Sequence, residues 1–168
     1  MQFKEVSVED LKFNPFTKIG KEWFLISSGN KDQLGTMTAS WGSLGVMWGK
    51  NAVTTYIRPQ RHTKTFVDSN DTFTISFFDE SYRKALALCG KISGRDHNKV
   101  AESGLTPMQV DDTVSFEEAN MILVCKKIYH APIDPNQFDA PENETKWYPE
   151  KDHHMMYISE IVKVLVKA

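Results

Sequence analysis

Residues Leu34–Thr65 read LGTMTASWGSLGVMWGKNAVTTYIRPQRHTKT. In Ala52–Arg58 the residues alternate: Val53, Thr55 and Ile57 share one face, and Ala52, Thr54, Tyr56 and Arg58 the other. A period of two is the mark of a strand with unlike faces. Gly49-Lys50-Asn51 before it predicts a tight hairpin turn back to Val46–Trp48. The stretch therefore reads as a β-hairpin, preceded by an extended Thr/Ser/Gly segment and followed by an Arg-Pro turn.

The same period recurs on both sides. Phe73, Ile75 and Phe77 form one face of Thr72–Phe78. Trp23–Ser28, Met121–Tyr129 and Tyr157–Val166 are further β-rich runs, the last with Ile158, Val162, Val164 and Val166 predicted on one side. Helical signals are few. Tyr82, Ala85, Leu86 and Cys89 have the spacing of one helix face, with Asp79 as a candidate N-cap and Gly90 as a stop. Gln60–Asp68, with Pro59 in its first turn, and Asp96–Ala101 predict short helices, and residues 131–154 a long loop with little regular structure. Many strands that do not alternate with helices point to a mainly β fold, a small barrel, and away from a parallel α/β sheet.

At 168 residues the chain suits one domain with a sizeable core. A formal net charge of -2 argues against nucleic acid as the main partner, since phosphate backbones select for basic excess. No apolar run reaches the length of a membrane span. The opening MQFKEVSVEDLKF carries early acids and no apolar centre, unlike a signal peptide. Cys89 and Cys125 form no CxxC, and a reducing, cytoplasmic setting is the simplest expectation.

Three segments carry candidate chemistry. Arg58-Pro59-Gln60-Arg61-His62-Thr63 follows a strand and opens a helix, where free N–H groups favour an anion. Arg61 and Thr63 lie near that end, and arginine grips phosphate with paired donors. Thr36-Met37-Thr38-Ala39-Ser40-Trp41-Gly42 sets hydroxyls at alternate positions, beside small residues that admit a planar ligand and an indole that can cover it. Cys89-Gly90-Lys91-Ile92-Ser93-Gly94-Arg95-Asp96-His97-Asn98-Lys99 is a polar, glycine-bearing segment able to close over an anion. Each also has an ordinary reading: a solvated helix start, a polar edge strand with Trp41 in the core, and a solvated loop. Together they suit a ligand with a flat ring at one end and a phosphate at the other. Adjacent His153 and His154 point opposite ways on an extended segment and lack further ligands at metal spacing, so a solvated loop is favoured there. Cys89 falls on an apolar helix stripe, the place of a core thiol rather than a nucleophile. No GxSxG, P-loop or GxGxxG pattern occurs.

TMTASW, RPQRHT and CGKISGRDHNK, in this order over roughly residues 15–165, resemble the flavin reductase-like family of FMN-binding split barrels, in its flavoredoxin branch. The resemblance implies a six-stranded Greek-key split barrel with a few short helices, a homodimer, and one FMN per subunit near the dimer interface. It implies that Thr38, Ala39, Ser40 and Trp41 border the flavin, and that Arg58, Arg61 and Thr63, with Ser93 and Lys99, hold its phosphate. The Asp152–Tyr157 segment resembles the family's C-terminal loop near the ring, whereas the 131–154 loop has no match. Two activities follow: an NAD(P)H-dependent oxidoreductase passing hydride to flavin N5, or an electron carrier whose FMN is reduced by a protein. Neither requires a catalytic side chain beyond the cofactor.

Overall fold

A computed structural model describes residues 2–168. Ten strands appear in chain order: β1 (Phe3–Val6), β2 (Phe24–Gly29), β3 (Leu34–Ala39), β4 (Gly42–Met47), β5 (Lys50–Ile57), β6 (Thr72–Phe77), β7 (Pro107–Val110), β8 (Thr113–Phe116), β9 (Met121–Pro132) and β10 (Met155–Lys167). The helices are α1 (Pro15–Thr17), α2 (His62–Ser69), α3 (Arg83–Lys91), α4 (Lys99–Ser103) and α5 (Pro141–Trp147). The fold is mainly β, as the alternation predicts.

Seven strands follow the order β3-β2-β6-β9-β10-β5-β4, β1 pairs with β10, and β7 and β8 form a separate hairpin. Strands from the whole width of the large sheet contribute to one core: Ile26, Met37, Val53, Ile57, Phe73, Ile75, Leu123, Cys125, Tyr157 and Ile161 all belong to it. A sheet whose opposite margins share a core must curl upon itself. A second cluster, including Leu25, Leu86, Cys89, Phe116 and Ile122, fills the outer side of β2, β6 and β9 beneath α3 and the β7–β8 hairpin. The predicted inward faces of β5 and β6 are both buried.

The predicted face of the last strand is corrected. Tyr157, Ile161 and Val164 are buried, whereas Val162 is 46% exposed. The register shifts between Ile158 and Ser159, and again between Ile161 and Lys163. The first shift skips Ile128 of β9 and leaves the faces of β10 unchanged; the second skips Val162 of β10 and reverses its alternation once, so odd positions face the core before Val162 and even positions after it. The hairpin turn also lies one residue earlier than predicted. Met47 pairs with Lys50, and Trp48 and Gly49 occupy the bend with φ of 52° and 71°. Positive φ at both central residues is the type I′ geometry that matches strand twist.

Two further expectations change. Pro59 is not in the first turn of α2. It occupies the second position of an Arg58–Arg61 turn, closed by Arg61 N–H to the Arg58 carbonyl at 3.1 Å, and the helix begins at His62. Residues 131–154 are not an unstructured loop. β9 continues to Pro132, Asp134 caps a 3₁₀ turn at Pro135–Gln137, and Pro141 opens α5. Proline at the first helical position forfeits no hydrogen bond, so a proline-rich segment still forms short helices.

Candidate functional site

The end of β3 delivers Thr38 and Ala39, and the link to β4 delivers Ser40 and Trp41. The end of β5 delivers Tyr56, with Arg58 just beyond it. These residues surround a cavity of about 340 Å³, together with Met37, Arg61, Gly90, Trp147 and His154. α3 approaches β3 closely here: a Cβ on Gly90 would stand 3.3 Å from Thr38 Cβ, a tight contact that a larger residue could make only by pushing the two elements slightly apart. The Thr38 hydroxyl donates to the Leu86 carbonyl of α3. The Thr36 hydroxyl bonds that of Ser27 at 2.8 Å and is buried. Of the three alternate hydroxyls, Thr36 and Thr38 are therefore engaged by the fold, and Ser40 faces the cavity.

A second cavity of about 480 Å³ lies along the other half of β3. Gly35, Thr36, His62, Thr63, Arg95 and Lys99 are among its walls. The first cavity thus gathers Thr38, Ala39, Ser40, Trp41, Arg58 and Arg61, and the second Thr63 and Lys99. Ser93 lines neither; its hydroxyl accepts the Arg95 N–H at 3.2 Å. The Cys89 carbonyl at the end of α3 lies between the two groups. Arg61 donates to it at 3.3 Å and to the Gly90 carbonyl at 3.1 Å, while Lys99 Nζ donates to it at 2.8 Å and to the Thr36 carbonyl at 2.8 Å. Cations suit the orphan carbonyls of a helix C-terminus.

Two cations now share one carbonyl, and among the described residues no carboxylate forms a salt bridge with either. Lys99 is only 6% exposed. Burial, then the neighbouring Arg61, lowers its ammonium to about 8. Burial also lowers Arg61, and lowers His62 with help from Arg95 and Lys99. Carbonyl dipoles satisfy the donors but leave the net charge uncancelled, a setting that favours an anion.

The opposite wall belongs to the segment between β9 and β10. Arg58 makes an ion pair with Asp152 at 2.9 Å, donates to the Trp147 carbonyl at 3.0 Å and lies 5.0 Å from the Tyr148 ring centre. Trp147 meets Trp41 edge-on at 5.0 Å. His154 is buried, with Nδ1 2.7 Å from the Tyr148 hydroxyl. Burial, and then Arg58, lowers its imidazole to about 4, so it is neutral near pH 7. The solvated-loop expectation for these histidines is corrected: His154 lines the cavity, and His153 bonds Glu144 at 3.0 Å. Trp41 is 38% exposed, a wall residue rather than a core one.

Tyr56 and Trp147 lie outside the three segments, Gly90 is read as a helix stop in the third, and His154 as part of a solvated loop. An indole and a phenol side by side in a polar, proline-rich run were the available signal for Trp147 and Tyr148, since large aromatics there need a surface to cover. Among the described residues no group of three His, Cys, Asp or Glu is placed to hold a metal, and no helix is long and apolar enough to cross a membrane.

The flavin reductase like domain model matches residues 16–168, over the motifs that build both cavities. The chain belongs to this family. Solved structures share its fold. Flavoredoxin of Desulfovibrio vulgaris is 22% identical, with a TM-score of 0.68 over 99% of this chain and 77% of its own. An FMN-binding domain of a flavin reductases-like enzyme from Shewanella baltica is 16% identical, with a TM-score of 0.70 over 98% of this chain and 77% of its own. Flavoredoxin from Methanosarcina acetivorans is 16% identical, with a TM-score of 0.67 over 95% and 76%. No curated protein matches the chain closely enough to count as a relative. The flavin reductase-like fold is the split barrel expected from the sequence.

Proposed function

We propose that this family member is an FMN-binding flavoprotein that accepts a hydride from NAD(P)H. The observation that carries the reading is an aromatic-walled cavity that ends at the half-buried Arg61, which shares the Cys89 carbonyl with the buried Lys99 of the second cavity, neither cation having a carboxylate partner among the described residues. A flat ring with a phosphate tail has that same division into apolar plane and anion. FMN, when bound, supplies the hydride-accepting nitrogen. The protein's part is placement and electrostatics. Arg61 and Lys99 would hold the phosphate, with Thr63 beside them. Thr38, Ala39, Ser40 and Trp41 border the ring, and Arg58 steadies the wall opposite. His154 is neutral at pH 7, so it can donate a hydrogen bond into the cavity without adding charge.

A homodimer belongs to the same proposal. Val46, Met47 and Trp48 are exposed at the β4–β5 tip, Trp48 lies 6.0 Å from the exposed Tyr129, and β4 is a sheet edge without a charged residue. Such an edge invites a partner. Two buried free thiols agree with a reducing, cytoplasmic setting.

The test is the visible spectrum of purified, FMN-loaded protein, mixed anaerobically with NADH and with NADPH. Loss of flavin absorbance on a catalytic timescale is expected with at least one donor. Bound flavin that neither donor bleaches would sink the reductase reading and leave the electron carrier. Failure to bind FMN at all would sink both.

A further inference from the structure

The segment between β9 and β10 is joined to the barrel in an uneven way. Residues 134–146 make no hydrogen bond to any part of the described chain outside 134–154. None of residues 133–147 is buried. The attachments gather at its far end: Arg58 grips Asp152 and the Trp147 carbonyl, Gln60 donates to Asp152 at 2.7 Å, and Trp147 leans on Trp41. Only Tyr148, beside His154, is sunk into the protein. At one root Pro132 and Pro135 flank the exit from β9, and at the other Lys151 has a φ of 57°. A segment with little buried surface, few external bonds and one clamp opens at low free energy, whatever the stability of the barrel.

We propose that residues 133–154 form a gate over the first cavity, latched by Arg58 and Asp152, whose opening sets the rate at which a planar ligand enters and leaves. Trp147 is the moving wall. When the latch is closed, the indoles of Trp41 and Trp147 bound the cavity at right angles. When it opens, one wall goes while Ser40, Trp41, Arg61 and Gly90 stay in place on the barrel. The gate thus decides whether a bound flavin behaves as a resident group or an exchanging one. In its choice of ligand the inference rests on the flavin reading above.

The experiment uses the full chain as wild type, Asp152→Ala and Trp147→Ala. Flavin release is followed by stopped-flow fluorescence after dilution of the FMN complex. Release is expected to quicken by about 3- to 10-fold in Asp152→Ala, the range of a partly exposed, hydrogen-bonded ion pair. Trp147→Ala should quicken it as well. Limited trypsin digestion reads the latch without ligand: cleavage after Lys146 or Lys151 should be several-fold faster in Asp152→Ala, with cleavage elsewhere unchanged. Unchanged release in both variants overturns the gate, and so does unchanged cleavage in Asp152→Ala. Wild type that binds no FMN overturns the flavin reading instead, and the digestion comparison then decides the gate alone.

Discussion

Arg58 and Arg61 stand in one turn, three residues apart, and meet opposite surroundings. Arg58 faces a carboxylate at 2.9 Å, a carbonyl and an aromatic ring. Arg61 faces two carbonyls and, beyond one of them, Lys99. The first charge is answered within the protein. The second is satisfied in hydrogen bonds and unanswered in charge. The same side chain in one motif can therefore serve as a latch or as an anion reader, and the nearest carboxylate decides which.

The most direct way to break this contrast is to remove each arginine in turn. A charge-assisted hydrogen bond contributes about 1.5–3 kcal/mol. Arg61→Ala should weaken FMN by roughly 10- to 150-fold and riboflavin, which lacks the phosphate, far less. Arg58→Ala should weaken both ligands alike, by about 2- to 5-fold, because it acts through the wall. Calorimetric titration with the two flavins measures all four values. A loss in Arg58→Ala confined to FMN would erase the distinction.

Lys99 sharpens it through pH. Its ammonium is held at about 8 by burial and by Arg61, and a bound phosphate favours its charged form. Binding then takes up a proton above pH 8. FMN affinity should be level just below pH 8 and fall above it, by at most about 10-fold per pH unit. Riboflavin affinity should stay level across the range, as should FMN affinity in Lys99→Met, from a weaker starting value. A pH dependence shared by both flavins would detach Lys99 from the phosphate.

The last effect concerns the latch side and is read in folding stability rather than in binding. His154 has a folded value of about 4 against 6.5 in a free chain, because of burial and then Arg58. Asp152 opposes that shift, and His153 adds to it. Between those values the unfolded chain holds more protons. The associated stability is complete above pH 6.5 and is lost as the pH falls toward 4, by up to about 3 kcal/mol. Urea midpoints at pH 7 and pH 4.5 should diverge in the wild type and less so in His154→Gln. Equal divergence would place the acid sensitivity elsewhere.

The sequence disclosed what is written in local chemistry. The alternation in β5 and β6 survives into the fold because both faces are set by nearest neighbours. The bulge at Val162 in β10 was hidden, since parity reverses through strand pairing and not through the residue type there. β1, β7 and β8 are four-residue strands, too short for a period to emerge. At the site, Thr38–Trp41 and Arg58–Arg61 were legible as motifs. The fates of Thr36 and Thr38 were not, because they depend on Ser27 and Leu86, remote partners that take up their hydroxyls. Trp147 and His154 reach the cavity only because Arg58 and Tyr148 fix a segment with no regular pattern of its own.

The thirteen-residue β10 has a consequence for how the molecule forms. It pairs with β9 along its length, with β5 through residues 155–160 and with β1 through residues 164–167. Its partners on one edge are 98 to 164 positions away in the chain, a topology of high contact order that folds in milliseconds to seconds rather than microseconds. The cavity depends on that long-range pairing, since His154 stands at the threshold of β10 and Asp152 is set beside Arg58 at the end of β5. Flavin capture during refolding should then register completion of the sheet, not collapse of its first half.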